Sequence, residues 1–438
     1  MLGLPTTATA PFCPSEARGT VDAQRPGSFW KKLLRFAGPG LLVSVGYMDP
    51  GNWATDIEAG SRFGYDLLFV VVLSSLAAIV LQCLSMRLGL ASGKDLAQQS
   101  YDHFSRRVNL GLWLMAEIAI VACDLAEVLG SALAFHLLLG CPVTWGIALT
   151  ALDTVVVLAL KGKGFRSLEA IVLGLIATIG ICFFIELALI KPDWSAVAHG
   201  LWPARALLGD GGAWYVSIGI LGATVMPHNL YLHSSIVLSR KIDEGQAAKA
   251  EAIRFATWDT VGSLLLALLI NAAILVLAGA AFHGGAGAPV TEIENAYHLL
   301  DPVVGTRFAG TLFALALLAS GQSSTFTGTI AGQVLMEGSL HLSIPCWQRR
   351  LITRVLALAP AFIGVWLLGD SAIGKMLVVS QVVLSFQLPF AMAPLLLLTS
   401  RESVMAGFAS RRWLQVLGWA LFGVIAAANL WLIVQLVR

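Results

Sequence analysis

The chain has 438 residues, of which 57% are hydrophobic and 12% charged, at a mean hydropathy of +0.79. No soluble domain buries apolar surface in that proportion, so the composition excludes soluble enzymes and points to an all-α polytopic membrane protein. A net charge of +2 gives no sign of a nucleic-acid partner, and the six scattered cysteines show neither metal-site nor disulfide spacing and read as small core residues.

Residues 1–35 are rich in Thr, Pro, Ala, Gly and Ser and lack an apolar core with a cleavage site, which predicts a disordered cytosolic tail and no signal peptide. Apolar runs long enough to span follow at roughly 37–60, 65–91, 108–139, 143–160, 167–190, 213–239, 254–282, 302–336, 350–369, 374–398 and 412–437, eleven helices in all. With the N-terminus inside, 22 of the 28 Lys and Arg fall in cytoplasmic segments; only Arg62, Lys191, Arg205, Arg307, Lys375 and Arg438 do not. That bias places the N-terminus in the cytoplasm and the C-terminus outside.

Helices 1 and 6 are interrupted. Met48-Asp49-Pro50-Gly51-Asn52 sets an acid, a helix breaker, a glycine and an amide inside an apolar run. Ala223-Thr224-Val225-Met226-Pro227-His228-Asn229 repeats the form without a gap, Ala223 standing to Met226 as Gly46 stands to Asp49. Proline removes a backbone donor, and an acid at mid-membrane costs a few kcal/mol or more. Unwound backbone there is viable only when buried in protein or lining a wet cavity, where carbonyls and carboxylate together make a cation site. The plainer alternative is a proline kink with a stray acid. Breaks in helices 1 and 6 imply a repeat of five helices. An odd number must emerge inverted, so the expected architecture is a LeuT-like 5+5 inverted repeat over 36–190 and 213–398, with 412–437 an added helix 11.

Helix 3 carries Glu117, Asp124 and Glu127 at intervals that share one helical face. Such a stripe reads as a proton relay or as acids paired with cations for packing; Arg354 is a plausible partner. Asp153 and Asp259 have no evident role. Helix 8 ends in the small, hydroxyl-rich stretch Ser320 to Thr329, where close packing is the default. Gln381 and Gln387 in helix 10 and Asn271 in helix 7 offer amides to a bound cation or to a neighbouring helix. The Gly/Pro-containing loop from His283 to His298 has no metal-ligand spacing.

The breaks thus offer a hard carboxylate (Asp49), an amide (Asn52), carbonyls near Gly46 and Ala223, and a soft thioether (Met226). A Mg²⁺ or Ca²⁺ site uses oxygen throughout, whereas sulfur favours softer first-row metals; a methionine in an apolar helix is otherwise core filler. Asp49-Pro50-Gly51-Asn52, Met226-Pro227-His228-Asn229 and Gly321-Gln322-Ser323-Ser324-Thr325 together resemble the Nramp family of proton-coupled divalent metal transporters, and the likeness covers nearly all of the chain after residue 35. The resemblance implies an eleven-helix fold importing Mn²⁺ and Fe²⁺, with Cd²⁺ and similar ions, in a bacterial plasma membrane. It implies Asp49, Asn52, Met226 and the Ala223 carbonyl as metal ligands. It adds the Gly46 carbonyl, where relatives often have alanine, and Gln381 in the inward-facing state. His228, Asp124, Glu127 and Arg354 match positions tied to proton movement. Members lacking the methionine handle harder ions such as Mg²⁺, so Met226 places the chain with the transition-metal branch. Metal and protons are cargo; no resident cofactor, enzyme activity or oligomer is implied.

Two other readings stand beside this one. A sodium-coupled amino-acid symporter shares the fold but needs half-helix N-terminal amides free for a substrate carboxylate, which Asp49 repels. An intramembrane metalloenzyme needs a His/Asp/Glu set with an open position; His228 and His233 are five apart and point to different faces.

Overall fold

Residues 17–24, 26–151, 165–203, 210–284, 289–304, 308–342, 346–369 and 372–437 are described by the computed structural model, and they are helical almost throughout. Within the expected disordered tail, Val21–Asp22 pairs in parallel with Arg240–Lys241, and α1 (Phe29–Phe36) forms a helix. Phe29 and Phe36 recur at helical spacing, and both pack on Phe255. Apolar periodicity therefore organises residues whose surroundings in the sequence are polar.

The first crossing is two helices, α2 (Pro39–Gly46) and α3 (Pro50–Phe63). It is followed by α4 (Leu68–Ser92), the short α5 (Leu96–His103), α6 (Arg106–Leu139), α7 (Val143–Thr150), α8 (Phe165–Ile190) and α9 (Trp194–His199). Residues 152–160 of the expected fourth span, Asp153 among them, lie outside the described residues. The second interrupted crossing is α10 (Gly211–Thr224) and α11 (Pro227–Ile236). Then come α12 (Gln246–Phe282), α13 (Ile293–Val304), α14 (Ala309–Leu340), α15 (Cys346–Leu368), α16 (Ile373–Ser400), α17 (Glu402–Met405) and α18 (Arg412–Val437). Among the described residues seven helices, α4, α6, α8, α12, α15, α16 and α18, are long and apolar enough to cross a membrane unbroken. The hydroxyl-rich stretch sits in the middle of α14, whose 32 residues also suffice in length.

Helix 8 was expected from residue 302, but α14 begins at Ala309 and α13 occupies the segment before it. Pro302 stands inside α13. The glycines and proline that make this segment read as loop precede Ile293, and the apolar positions Ile293, Ala296 and Leu300, at helical spacing, are buried.

The interrupted crossings lie at the centre of the bundle. α12 packs on α3 and α4, α14 on α6 and α8, and α16 on α6 and α10. Exposed Trp366, Phe184 and Trp413 face outward, as lipid contact requires, and α18 is the least buried of the seven long spans. Helices approach closely where glycine allows it. A Cβ on Gly222 of α10 would stand 2.2 Å from the Gln381 carbonyl oxygen of α16.

At the end of the bundle rich in Lys and Arg, the start of α2 is tied down. Asp259 of α12 accepts from the N–H groups of Gly38 (3.2 Å) and Gly40 (2.7 Å), which cap α2 from a neighbouring helix. Glu169 bridges Arg240 (2.8 Å) and Arg166 (3.0 Å), and both guanidiniums also donate to the Ala37 carbonyl at 2.7 Å. Asp259, for which the sequence suggests no role, is thus an anchor of α2.

A backbone oxygen cannot swing aside as a side chain can. Gly222→Ala is therefore expected to lower stability in detergent by roughly 1–3 kcal/mol, the range for overpacking. Gly262→Ala is the control: it has open space around it within α12, so it should be neutral or stabilise by up to about 1 kcal/mol through helix propensity. Thermal unfolding of the two purified variants checks the contrast.

Candidate ion-binding site

α2 stops at Gly46 because Pro50 has no N–H and its ring crowds the preceding turn. Asp49 then takes an extended backbone (φ −69°, ψ 164°) as the N-cap of α3, its Oδ1 accepting from Asn52 N at 2.8 Å and Asn52 Nδ2 at 2.7 Å. Met226 holds the equivalent place on α11 (φ −68°, ψ 119°) without a side-chain cap bond. Every residue from Met48 to Gly60 and from Ala223 to Ser235 is buried, so both breaks are shut off from either end of the bundle.

The carbonyls freed by the first break are all engaged. Tyr47 O accepts from Asn271 Nδ2 at 2.7 Å, and Met48 O from Trp53 Nε1 at 3.2 Å and from Ser320 Oγ. Gly46 O and Ala223 O, one from each break, both accept from Asn52 Nδ2, at 3.4 and 3.1 Å. Three oxygens from three residues therefore converge on one amide nitrogen. Asp49 Oδ2, Gln381 Oε1 and Asn271 Oδ1 have no hydrogen-bond donor among the described residues. A buried surplus of acceptors is what a cation satisfies. A cation here would require the Asn52 amide to turn about its terminal torsion, so that Oδ1 joins Asp49 Oδ1 and the two carbonyls as an acceptor in place of the Nδ2 donor.

Of the expected ligands, Asp49, Asn52, Gly46 and Ala223 are joined directly by these bonds. Met226 is adjacent: a Cβ built on Gly46 would lie 3.2 Å from its sulfur. Gln381 packs on Gly51, whose missing Cβ would stand 1.7 Å from its Nε2, so glycine is what admits the amide beside Asp49 and Pro50. Asn271 is placed as a brace, bonded to Tyr47 O and, at 3.4 Å, to Asn52 Oδ1.

Asp124 and Glu127 are buried on α6, and both face Gly328 of α14: a Cβ there would lie 3.0 Å from Asp124 Oδ1 and 3.2 Å from Glu127 Oε1. Arg354 is an electrostatic partner of both and donates to Thr325 Oγ1 at 3.4 Å. Glu117 is only half-buried, two turns or ~10 Å nearer the basic end. His228 Nε2 lies 3.7 Å from Cys123 Sγ, which donates to Glu127 Oε1 at 3.5 Å. Cys123 therefore joins the histidine to the acids. Reading it only as a small core residue missed this; its place on the helix 3 acid face, four residues before Glu127, was the available signal. His233 turns elsewhere, its Nδ1 on Gln82 Oε1 at 2.9 Å.

At the end away from the basic cluster, a crevice of about 360 Å³ is lined by Glu58, Arg62, Tyr215, Thr291 and Lys375. Beside it, Glu292 accepts from Gly374 N at 2.7 Å, and burial holds its carboxyl above the usual carboxylate range.

A family model described as natural resistance-associated macrophage protein-like matches residues 40–435. The chain belongs to the Nramp family. It is 64% identical over 99% of its length, and 98% of the relative's, to a divalent metal cation transporter MntH of Ralstonia nicotianae. It is 63% identical to MntH 1 of Pseudomonas aeruginosa, with 98% of each chain covered. Among solved structures it is similar to the manganese transporter of Eremococcus coleocola (42% identity, TM-score 0.89, 95% of this chain and 89% of that one). The closed form of Mhp1, a nucleobase-cation-symport-1 family transporter, shares the fold alone, at 14% identity and TM-score 0.61 over 94% of this chain and 93% of that one. Membership makes this Nramp chain a membrane transporter and not an enzyme.

Asp49 is the full negative charge within the cluster of bonded oxygens. Asp49→Asn is near-isosteric, and its side-chain oxygen keeps the cap bond, so the protein should remain folded while divalent-ion binding is lost. Calorimetric titration in detergent, beside an unfolding curve, reads both; wild-type affinity in the variant would remove Asp49 from the site.

Proposed function

We propose that the chain is a proton-coupled symporter importing Mn²⁺ and Fe²⁺, with Cd²⁺ and similar ions also carried, across the plasma membrane by alternating access. The observation that carries this reading is the convergence of Asp49 Oδ1, Gly46 O and Ala223 O on one amide nitrogen, beside the Met226 thioether and closed from both ends. A carboxylate, carbonyls, an amide and a sulfur suit a first-row divalent ion better than an alkali ion or an organic substrate. An amino acid fares poorly at the first break, because the Asp49 carboxylate already occupies the N-terminal amide of Asn52 that a substrate carboxylate would need.

In this reading the basic end is cytoplasmic, the N-terminus is inside and the C-terminus outside. Metal arrives from the crevice side and sheds water against Asp49, Asn52, Met226 and the two carbonyls, with Gln381 joining when the site faces inward. Asp49 also accepts the first proton. His228, Cys123, Glu127 and Asp124 then lie in sequence away from the metal, with Glu117 nearer the cytoplasm, so the proton leaves by its own route. Arg354 keeps the two acids from being uncompensated at that depth. Opening toward the cytoplasm requires α2 to leave Asp259 and the Glu169–Arg240 pair. The repeats 36–190 and 213–398 supply the moving and fixed parts, and 412–437 stays peripheral.

Proteoliposomes containing only this protein test the reading through radioactive manganese uptake read together with a trapped pH dye. Wild type should take up manganese and acidify the lumen. Asp124→Asn or Glu127→Gln should cut acidification far more than metal binding; unchanged proton flux and pH dependence in both would make these acids structural.

Met226 should act on selectivity. In Met226→Ala a water or carbonyl fills the vacated position and the shell becomes all oxygen, which suits Ca²⁺ and Mg²⁺. Mn²⁺ uptake is expected to survive in part, Cd²⁺ uptake to fall furthest, and Ca²⁺ or Mg²⁺ to become competitors. Identical competition curves for variant and wild type would return Met226 to the core.

A further inference from the structure

Asn229 stands to Met226 as Asn52 stands to Asp49: three residues on, in the first turn of the helix that follows the break. The correspondence extends to the bonds. Asn52 Nδ2 lies on the terminal oxygen of its N-cap residue at 2.7 Å, and Asn229 Nδ2 lies on the sulfur of its own at 3.7 Å. Asn229 is fully buried, and its Oδ1 has no donor among the described residues. A buried amide oxygen left without a partner carries a desolvation penalty of about 1–3 kcal/mol, so its retention needs a reason.

The position of the amide supplies one. A Cβ built on Gly46 would lie 2.2 Å from Asn229 Nδ2 and 3.2 Å from Met226 Sδ. The amide therefore occupies space over the end of α2 that exists only because residue 46 is glycine, next to the Gly46 carbonyl and the Met226 thioether.

We propose that Asn229 is a specificity-determining ligand of this chain's metal site, which turns its amide on metal binding to present Oδ1 to the ion, in room that Gly46 leaves for it. The inference rests on the divalent-metal reading of the site. In the empty site the amide N–H is the better neighbour for the electron-rich sulfur. Beside a divalent cation that dipole is unfavourable, and the unpartnered Oδ1, brought round by rotation about the terminal torsion, is favourable. An added neutral oxygen helps a harder ion more than a soft one. Asn229 thus moves preference toward Mn²⁺, against the pull of Met226 toward Cd²⁺.

The test is calorimetric titration of purified protein with Mn²⁺ and with Cd²⁺, for wild type, Asn229→Ala, Gly46→Ala and the double variant. Asn229→Ala should weaken Mn²⁺ by about tenfold, no less than the loss of an outer-shell partner costs, and Cd²⁺ distinctly less. Gly46→Ala displaces the amide without removing it and should shift the ratio of affinities in the same direction. The double variant should lie close to Asn229→Ala, because only the slight crowding of the Met226 sulfur, 3.2 Å from the new Cβ, remains. Retained Cd²⁺ binding reports folding, and Gly46→Ala, which displaces the end of Asn229 and only crowds the flexible end of Met226, still decides the matter if Asn229→Ala does not fold. Equal loss of both metals would make Asn229 structural, and a larger loss of Cd²⁺ would make it a prop for the sulfur; either overturns the proposal while leaving the transport reading intact. Wild type that binds neither metal would overturn both.

Discussion

Everything in the bundle's centre depends on an excess of buried hydrogen-bond acceptors. Two interrupted helices free carbonyls at a depth where water cannot reach them, and Asp49 adds a carboxylate. Against these stand few donors: the Asn52 amide serves Gly46 O, Ala223 O and Asp49 Oδ1, the Asn271 amide serves Tyr47 O, and Trp53 and Ser320 serve Met48 O. Shared among three acceptors, one NH₂ group is a weak substitute for positive charge. In the proposed mechanism this is why the site draws a cation and also why it can release one: the amide that yields to the ion returns when the ion leaves.

That balance has to be shielded from water while it changes hands. At the basic end the shield is ionic and hydrogen-bonded. Asp259 caps the first N–H groups of α2, while Arg240 and Arg166 hold the Ala37 carbonyl and share Glu169. These contacts are made by separate helices on the short segment that leads into the first break, so a rigid displacement of α2 breaks them together. Individually such bonds are modest; as a set they are cooperative, which suits a gate that must be either shut or open.

The breaks are legible in the sequence because proline, glycine and an acid are each costly inside an apolar run, and because the second copy aligns residue for residue with the first. The Asp124 and Glu127 pair is legible from helical spacing. What stays hidden is set by contacts across long separations. Asp259 caps α2 from over 200 positions away, and nothing local to it says so. Asn271 reads as able to reach an ion or a neighbouring helix, and only the fold shows that it braces the Tyr47 carbonyl. Cys123 looks like core because it is core, packed with Ala119, Met226 and Leu384, while its sulfur also spans from His228 toward Glu127. The helices α1 and α13 escape a windowed reading because each begins beside glycines and prolines that dominate the window.

The difference between the two breaks gives the electrostatic logic of the proposed mechanism. The repeats are matched in form, yet the first places a carboxylate at its N-cap and the second a thioether. Two carboxylates would neutralise a divalent ion completely, and in a low dielectric that attraction would hold the ion too firmly to release. One carboxylate leaves the loaded site with a residual positive charge, which in the proposed mechanism drives the first proton off Asp49 to groups beyond it. Proton-binding groups therefore have to stand apart from the metal yet feel its charge, and Asp124 and Glu127 meet that condition, linked to the second break through His228 and Cys123 and held by Arg354. In that mechanism a neutral sulfur opposite Asp49 sets selectivity and, by leaving the loaded site short of negative charge, sends the proton onward by another path.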